Sequence, residues 1–312
     1  MLLNISTQKN VLDSEKIYDV MIIGAGPAGL SASVYAARKG LKVGVIGEKT
    51  GGQVSDTSSV ENYIGFEFIT GDDLATSFEK HAKSLDIDML DHVKVKEIQK
   101  TDNIGIVCDN YMTYYSKSVI IATGSKSRKL MVAGENEFYG KGVTYCAICD
   151  GPLFKDKTVT VVGGGNSAVE AAIDLSKIAR KVQLVHRSQF RADQILIEKL
   201  NKIENVDVHL QTQIKEIIGK EQVEKIYLEG EIEELQTDGV LVEVGYVPNS
   251  QFLNDVKLND KGEILINDLN QTNIEGIYAA GDVTTVRYKQ IIVAASEGAK
   301  AALSVNDYLN TL

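Results

Sequence analysis

The sequence is poor in cysteine, in clustered histidine and in long apolar runs, and each shortage excludes a class of protein. Three cysteines in 312 residues cannot form the disulfide framework that holds small secreted domains together. In a reducing cytoplasm, which is the expected location, a Cys-x-x-Cys pair is therefore catalytic, metal-binding or inert. No apolar stretch approaches the roughly 20 residues that span a bilayer, so no membrane partner is expected. Lys9, Asp13, Glu15 and Lys16 leave no hydrophobic region for a signal peptide. Residues 1 to about 17 are expected to form a partly ordered tail. The net charge of −10 argues against a nucleic-acid footprint, which needs clustered basic excess, and suits a soluble acidic protein. The four histidines, at 81, 92, 186 and 209, are dispersed and offer no metal-ligand cluster. Gly-x-Ser-x-Gly, Walker and His-Glu-x-x-His motifs are all absent.

What is present is a pattern that occurs twice. Ile17 to Gly24 is an apolar β-run that enters Gly24-Ala25-Gly26-Pro27-Ala28-Gly29. A helical stretch, Leu30 to Lys39, follows, and then a second strand, Leu41 to Gly47. This is a βαβ unit of ordinary size. Residues 71–86 are predicted helical. Residues 103–108 and 111–116 are predicted to pair as a hairpin about Asp109-Asn110. Ser118 to Ile121 is a further strand, running into Ala122-Thr123-Gly124. The pattern then restarts: strand Thr158 to Gly163, the turn Gly163-Gly164-Gly165-Asn166-Ser167-Ala168, helix Asn166 to Ile178, strand Lys181 to Val185. Residues 190–202 are predicted helical and 206–244 strand-rich. Gly276 to Ala280 leads into Gly281-Asp282, and Gln290 to Leu309 is predicted as a long final helix. A degenerate internal repeat of this kind indicates two stacked α/β units, and 312 residues are enough for two domains.

A Gly-x-Gly-x-x-Gly alone is weak. Here it follows a strand, opens a helix and has an acid at the right distance, so its context is met. The glycines admit a pyrophosphate to a helix N-terminus, where unpaired N–H groups and the dipole favour anions. Glu48, 24 residues beyond Gly24, can accept hydrogen bonds from ribose hydroxyls and would repel a 2′-phosphate, as FAD or NAD requires. Gly51-Gly52-Gln53 suits a loop pressed against a flat ligand, or an ordinary turn. Asp282 can hold a ribitol hydroxyl, or cap a helix. The helix beginning near Gln290 and Ile291 can direct its positive end at a flavin.

At the second turn the residue 24 beyond Gly163 is Arg187, preceded by His186. A guanidinium there can pair with a 2′-phosphate in bidentate fashion, and Arg191 lies one helical turn further. NADPH is therefore expected; an ordinary solvated basic edge is the alternative. Cys146-x-x-Cys149 is compatible with a small redox-active disulfide loop. A zinc site needs about four ligands, and the only other cysteine is Cys108, so no metal is expected. Asp150 can shuttle a thiol's proton or serve as a turn residue before Gly151-Pro152. Cys108 is expected to be a structural thiol.

Taken together and in order, GAGPAG, GGQ, ENY, ATGS, CxxCDG, GGGNSA, HR…FRA and GD-to-KQ resemble the low-molecular-weight thioredoxin reductase family over nearly all of residues 18–312. Gly142 to Lys155, Ala192-Asp193-Gln194 and Val283 to Ala301 more closely resemble the flavoprotein component of alkyl hydroperoxide reductase, without the extra N-terminal redoxin-like domains of that protein. The resemblance implies an α/β fold of two Rossmann-like three-layer domains, one inserted in the other. Residues 1–122 and 249–312 would bind FAD, and 123–248 would bind NAD(P)H and carry the dithiol. It implies that Gly24, Gly26, Gly29, Glu48, Gln53, Asn62 and Asp282 hold FAD and that Gln290 and Ile291 cap the flavin. Pro27, Ala28, Gly52, Val95, Ala122, Thr123, Gly124, Gly281 and Lys289 complete that set. Gly163, Gly165, Asn166, Ser167, Ala168, His186, Arg187 and Arg191 would hold NADPH. Cys149 would face the flavin, Cys146 would attack the partner disulfide, and Asp150 would supply protons. The implied partner is thioredoxin or a related redoxin, the implied assembly a homodimer, and the implied mechanism a rotation of one domain against the other. One segment departs from the family. The usual His-Arg-Arg-x-x-Phe-Arg is replaced by His186-Arg187-Ser188-Gln189-Phe190-Arg191, one residue shorter and without the second arginine. This keeps NADH, or ferredoxin, open as the electron donor.

Overall fold

The computed structural model describes residues 11–56, 60–230 and 232–312, so the first ten residues of the expected tail lie outside the described part. The chain divides into two compact units, Met1–Lys126 with Val247–Leu312, and Ser127–Tyr246. The sequence-based boundaries fall at 122/123 and 248/249.

The first unit begins with β1 (Ile17–Ile23), α1 (Pro27–Arg38), β2 (Val43–Gly47), α2 (Gly71–Lys83), β3 (Ile87–Asp91), β4 (Val95–Lys100), β5 (Ile104–Cys108) and β6 (Thr113–Ile121). A connecting strand, β7 (Ser125–Ser127), leads to the second unit. That unit holds β8 (Val143–Thr144), α3 (Ala147–Asp150), β9 (Thr158–Val162), α4 (Asn166–Leu175), β10 (Lys181–His186) and α5 (Gln194–Leu200). It continues with β11 (Val206–Leu210), β12 (Gln213–Gly219), β13 (Val223–Glu229), β14 (Glu234–Gln236) and β15 (Gly239–Val242). The returning connection is β16 (Tyr246–Pro248), and β17 (Ile277–Ala279) and α6 (Ile291–Leu309) complete the first unit.

In the first unit β3, β2, β1, β6 and β17 pair in parallel, while β5 and β4 continue from β6 as an antiparallel meander. Strand alternation assigns the two faces. Val20, Ile22, Val43, Val45, Ile120 and Tyr278 pack against α1 and α6. Met21, Ile23, Ile46, Val119, Ile121 and Ala279 pack against the meander and residues Leu253, Val256 and Ile264. Part of the expected tail belongs to this core: Leu12 is buried within it, and Lys16 and Tyr18 both donate to the Asp88 carboxylate, at 2.7 and 2.8 Å.

The second unit repeats the plan. Its sheet, β11-β10-β9-β15-β8, is wholly parallel. One face carries Val159, Val161, Val182, Leu184 and Leu241 against the layer of α4. The other carries Val162, Val185, Val240 and Val242 against the antiparallel sheet β12-β13-β14.

Several expected boundaries move, among them the helix expected over Asn166 to Ile178, which ends at Leu175. The strand expected over Ser118 to Ile121 begins at Thr113, because β6 serves both the hairpin and the parallel sheet. The helix expected over 71–86 ends at Lys83, and Ile87 already pairs with Val43. The helix expected over 190–202 runs only from Gln194 to Leu200. Residues 191–193 are held by the second glycine turn instead: Arg191 N–H donates to Gly164 O at 2.7 Å, and Asp193 N–H to Asn166 Oδ1 at 2.9 Å.

Candidate functional site

The first glycine turn is fixed by close backbone approach. Gly24 has φ +114°, and a Cβ on it would lie 2.2 Å from Ala122 O. A Cβ on Gly29 would lie 1.8 Å from Gly24 O. No side chain fits at either position, so the strand, the turn and α1 stay in contact. Gly26 is the N-cap of α1 and Pro27 its first residue; no side chain caps the helix and no acid lies in its first turn. The first-turn N–H groups therefore remain available to a ligand anion. Gly52 borders this opening, with its Cβ position 3.2 Å from Gly26 Cα, and Gln53 follows in a 3₁₀ turn. Glu48 stands exposed directly after β2. Val93, next to the end of β2, donates to Gly47 O at 3.3 Å, and Val95 is buried in the core at the start of β4. Thr123 and Asn249 lock the Ala122-Thr123-Gly124 turn through two 2.8 Å hydrogen bonds.

The far end of the unit brings the remaining expected residues to the same side. Gly281, with φ +77°, packs against Ala28 of α1. Asp282 has a largely buried carboxyl whose pKa burial raises to about 6, with the Lys289 charge pulling the other way. Lys289 donates to the carbonyl oxygens of Asp282 and Thr284 at 3.2 and 2.5 Å and pairs with Glu263 at 3.0 Å. Gln290 is the N-cap of α6. Its Oε1 accepts from Asn62 Nδ2 at 3.3 Å, joining residues 228 apart in sequence, and Ile291 packs on Val54, Val60, Leu74 and Ala75. An uncapped helix end for a pyrophosphate, an exposed carboxylate for ribose and a buried carboxyl for a further hydroxyl make a donor and acceptor set that fits a dinucleotide such as FAD.

The second turn has the same construction. Gly163 has φ +153°, with its Cβ position 2.3 Å from Glu243 O, and Gly165 is the uncapped N-cap of α4. Asn166 and Asp193 exchange two hydrogen bonds, at 2.8 and 2.9 Å. Ser167 is exposed at the start of α4 and Ala168 is buried beneath the turn. The expected cation cluster divides. Arg187 and Arg191 are exposed, free to meet a phosphate. His186 is 6% exposed, and its ring occupies the space where Gly164 lacks a side chain. Burial, then the charges of Arg191 and Arg187, hold its pKa down. His186 therefore supports the turn as a neutral ring hydrogen-bonded to Ser188 Oγ at 3.0 Å, and the positive charge comes from the two arginines.

Cys146 and Cys149 form a disulfide with Cα atoms 5.3 Å apart. Cys146 is the N-cap of α3, and Cys149 N–H points at its Sγ at 3.2 Å. That donor favours negative charge on Cys146 once the bond is reduced. Asp150 accepts a hydrogen bond from Thr144 Oγ1 at Oδ2, while Oδ1 is buried without a partner. Burial raises its pKa, against the Thr144 bond. Cys108 is buried in the other unit, and its thiol is pushed up to about 11, mainly by burial. Sequence reasoning missed Glu243. Its backbone lies against the second turn, its N–H donating to Val162 O at 2.8 Å and its carbonyl oxygen 2.3 Å from the Cβ position of Gly163, but it belongs to no motif.

Comparison with known proteins places these features in a family. The model of the pyridine nucleotide-disulphide oxidoreductases matches residues 18–298. The F component of alkyl hydroperoxide reductase from Staphylococcus aureus is 44% identical over 304 residues, which cover 95% of this chain and 60% of that protein. The chain thus spans about 60% of the length of the curated relatives it matches. Among solved structures, thioredoxin reductase from Streptococcus pyogenes has a TM-score of 0.89 at 38% identity, covering 95% of this chain and 99% of the other. Thioredoxin reductase from Giardia duodenalis has a TM-score of 0.89 at 34% identity, covering 95% and 99%.

Proposed function

Because the chain belongs to the pyridine nucleotide-disulphide oxidoreductase family, we propose that it is a flavoprotein disulfide reductase that passes electrons from NADPH, through FAD, to the Cys146–Cys149 disulfide. The observation that carries this reading is that disulfide itself, with the Asp150 carboxyl next to it in sequence, in the unit that holds the second dinucleotide turn. A bound flavin supplies the relay between a hydride donor and a disulfide. The protein's own residues do the rest. Gly24, Gly26 and Gly29 admit the pyrophosphate to the end of α1, Glu48 holds the ribose, and Asp282 holds a hydroxyl of the linking chain. Arg187 and Arg191 bind the phosphate that distinguishes NADPH.

At the dithiol, the Cys149 amide favours Cys146 as the thiolate that attacks a partner disulfide. Asp150 holds the proton that a departing thiolate needs. The partner in this reading is thioredoxin or a small related redoxin, and the protein works in the cytoplasm as a homodimer. The thioredoxin reductase structures support that partner. The identity with the alkyl hydroperoxide reductase component supports a redoxin that serves a peroxidase. The shortened 186–191 segment and the buried His186 favour NADH as the second donor to test.

The test is a visible-absorbance titration of the purified protein with NADPH and NADH, followed by addition of a redoxin. The flavin bands bleach with the true donor and return on addition of the partner. Cys146→Ser still bleaches but no longer reduces the partner. Material that binds no flavin, or a Cys146→Ser variant that loses both steps equally, contradicts the reading.

A further inference from the structure

In the first unit, residues 282–290 join two of the expected flavin contacts, the Asp282 carboxyl and the start of α6. Lys289 sits one residue before Gln290, the N-cap of that helix, and its ammonium reaches back across the loop. It donates to Asp282 O at 3.2 Å and to Thr284 O at 2.5 Å, and it pairs with Glu263 Oε1 at 3.0 Å. An ammonium carries three donors, and here each has a protein acceptor. The pair is mostly buried, with the Lys289 and Glu263 side chains 16% and 19% exposed.

Glu263 is itself held in place. Its Oε2 accepts from Asn259 Nδ2 at 2.7 Å, and its N–H donates to Asn259 Oδ1 at 2.9 Å. The next residue is tied to the loop through the backbone: Ile264 N–H donates to Val283 O at 2.9 Å, and Thr285 N–H donates to Ile264 O at 3.0 Å. Burial works against a charge on Glu263, but the bonds from Asn259 and Lys289 outweigh it and hold its pKa below the usual range. At the other end of the loop, Gln290 Nε2 donates to Lys289 O at 3.0 Å while its Oε1 accepts from Asn62.

We propose that Lys289 is a positioning residue for the flavin and not a ligand to it: the Glu263–Lys289 pair clamps the 282–290 loop, so that the Asp282 carboxyl and the N-terminus of α6 are set in place before the cofactor arrives. This role replaces the direct contact expected from the sequence, and it rests on the flavoprotein reading above. Without the clamp the loop relaxes in the empty protein. FAD binding must then order it again, which weakens binding although no ligand contact has been removed.

The experiment strips FAD from the whole protein and titrates it back, reading the dissociation constant from flavin fluorescence. Wild type is compared with Lys289→Met, Glu263→Gln and the double variant, and circular dichroism melts of the flavin-free proteins report their stability. Lys289→Met should weaken FAD binding by roughly tenfold or more, and Glu263→Gln, which loses the charge but keeps the shape, by a smaller factor. In the Lys289→Met background Glu263→Gln should cost nothing further, because the clamp is already open. A loss confined to Lys289→Met, with Glu263→Gln binding as tightly as wild type, would make Lys289 a direct ligand and overturn the proposal. Lower melting temperatures with unchanged dissociation constants would leave the pair a support of the fold alone, and would also overturn it. Either result, in a wild type that binds FAD, sinks this inference and leaves the flavoprotein reading standing. A wild type that takes up no FAD ends both.

Discussion

Asp282 carries a carboxyl whose burial costs the folded chain stability above its raised pKa. Burial raises its carboxyl to about 6, against roughly 3.9 in an unfolded chain. The neutral form suits the folded protein, so this contribution is complete below about pH 4 and disappears as the pH rises through 6. Asp282→Asn should therefore stabilise the flavin-free protein by about 3 kcal/mol at pH 7.5 and leave it nearly unchanged at about pH 4, read from thermal melts at the two pH values. The same variant should retain FAD less well, because an amide replaces a carboxylate acceptor. A melt that shifts equally at both pH values would remove the charge argument. His186 teaches a different lesson at this scale. Its position beside Arg187 in sequence marks it as a phosphate ligand, yet its ring fills the space above Gly164. The sequence contains no statement of which side chain occupies the space a glycine leaves.

At the scale of elements, the α1 and α6 pairing holds the first site together. A Cβ on Gly298 would lie 1.9 Å from Ala28 O, and that atom is backbone, so it cannot move aside alone. Gly298→Ala should force the helices apart at a cost of about 1–3 kcal/mol, and should loosen flavin binding, since both helices begin at the site. Thermal melts with and without added FAD measure the two effects. A variant with unchanged stability and flavin content would show that the close approach is not needed. Both glycine turns, both βαβ units and the final helix were legible in the sequence, because strand alternation and turn glycines are local properties. The boundaries that moved were those set by distant partners. Residues 191–193 are helical by pattern, but Gly164 and Asn166 capture their backbone. The start of β6 at Thr113 is set by β1 and β5.

At the scale of the whole chain, the 127–246 unit is continuous in sequence and carries two hydrophobic clusters of its own. A fragment of residues 127–246 should therefore fold alone, melt cooperatively and bind a pyridine dinucleotide without flavin, which calorimetry can check. A fragment that stays unfolded would make the two units thermodynamically one. The other unit comes from both ends of the chain, and no contiguous fragment contains it. By itself the sequence determined that there are two dinucleotide turns, which acid or base follows each, and that a dithiol lies between them, because each is a matter of residue type at short spacing. Only the tertiary structure decided that Asn62 meets Gln290, that the His186 ring fills the space beside Gly164 and that Glu243 backs the Gly163 turn. Those pairings are set by how strands and helices pack across tens to hundreds of residues, and no local pattern encodes that distance.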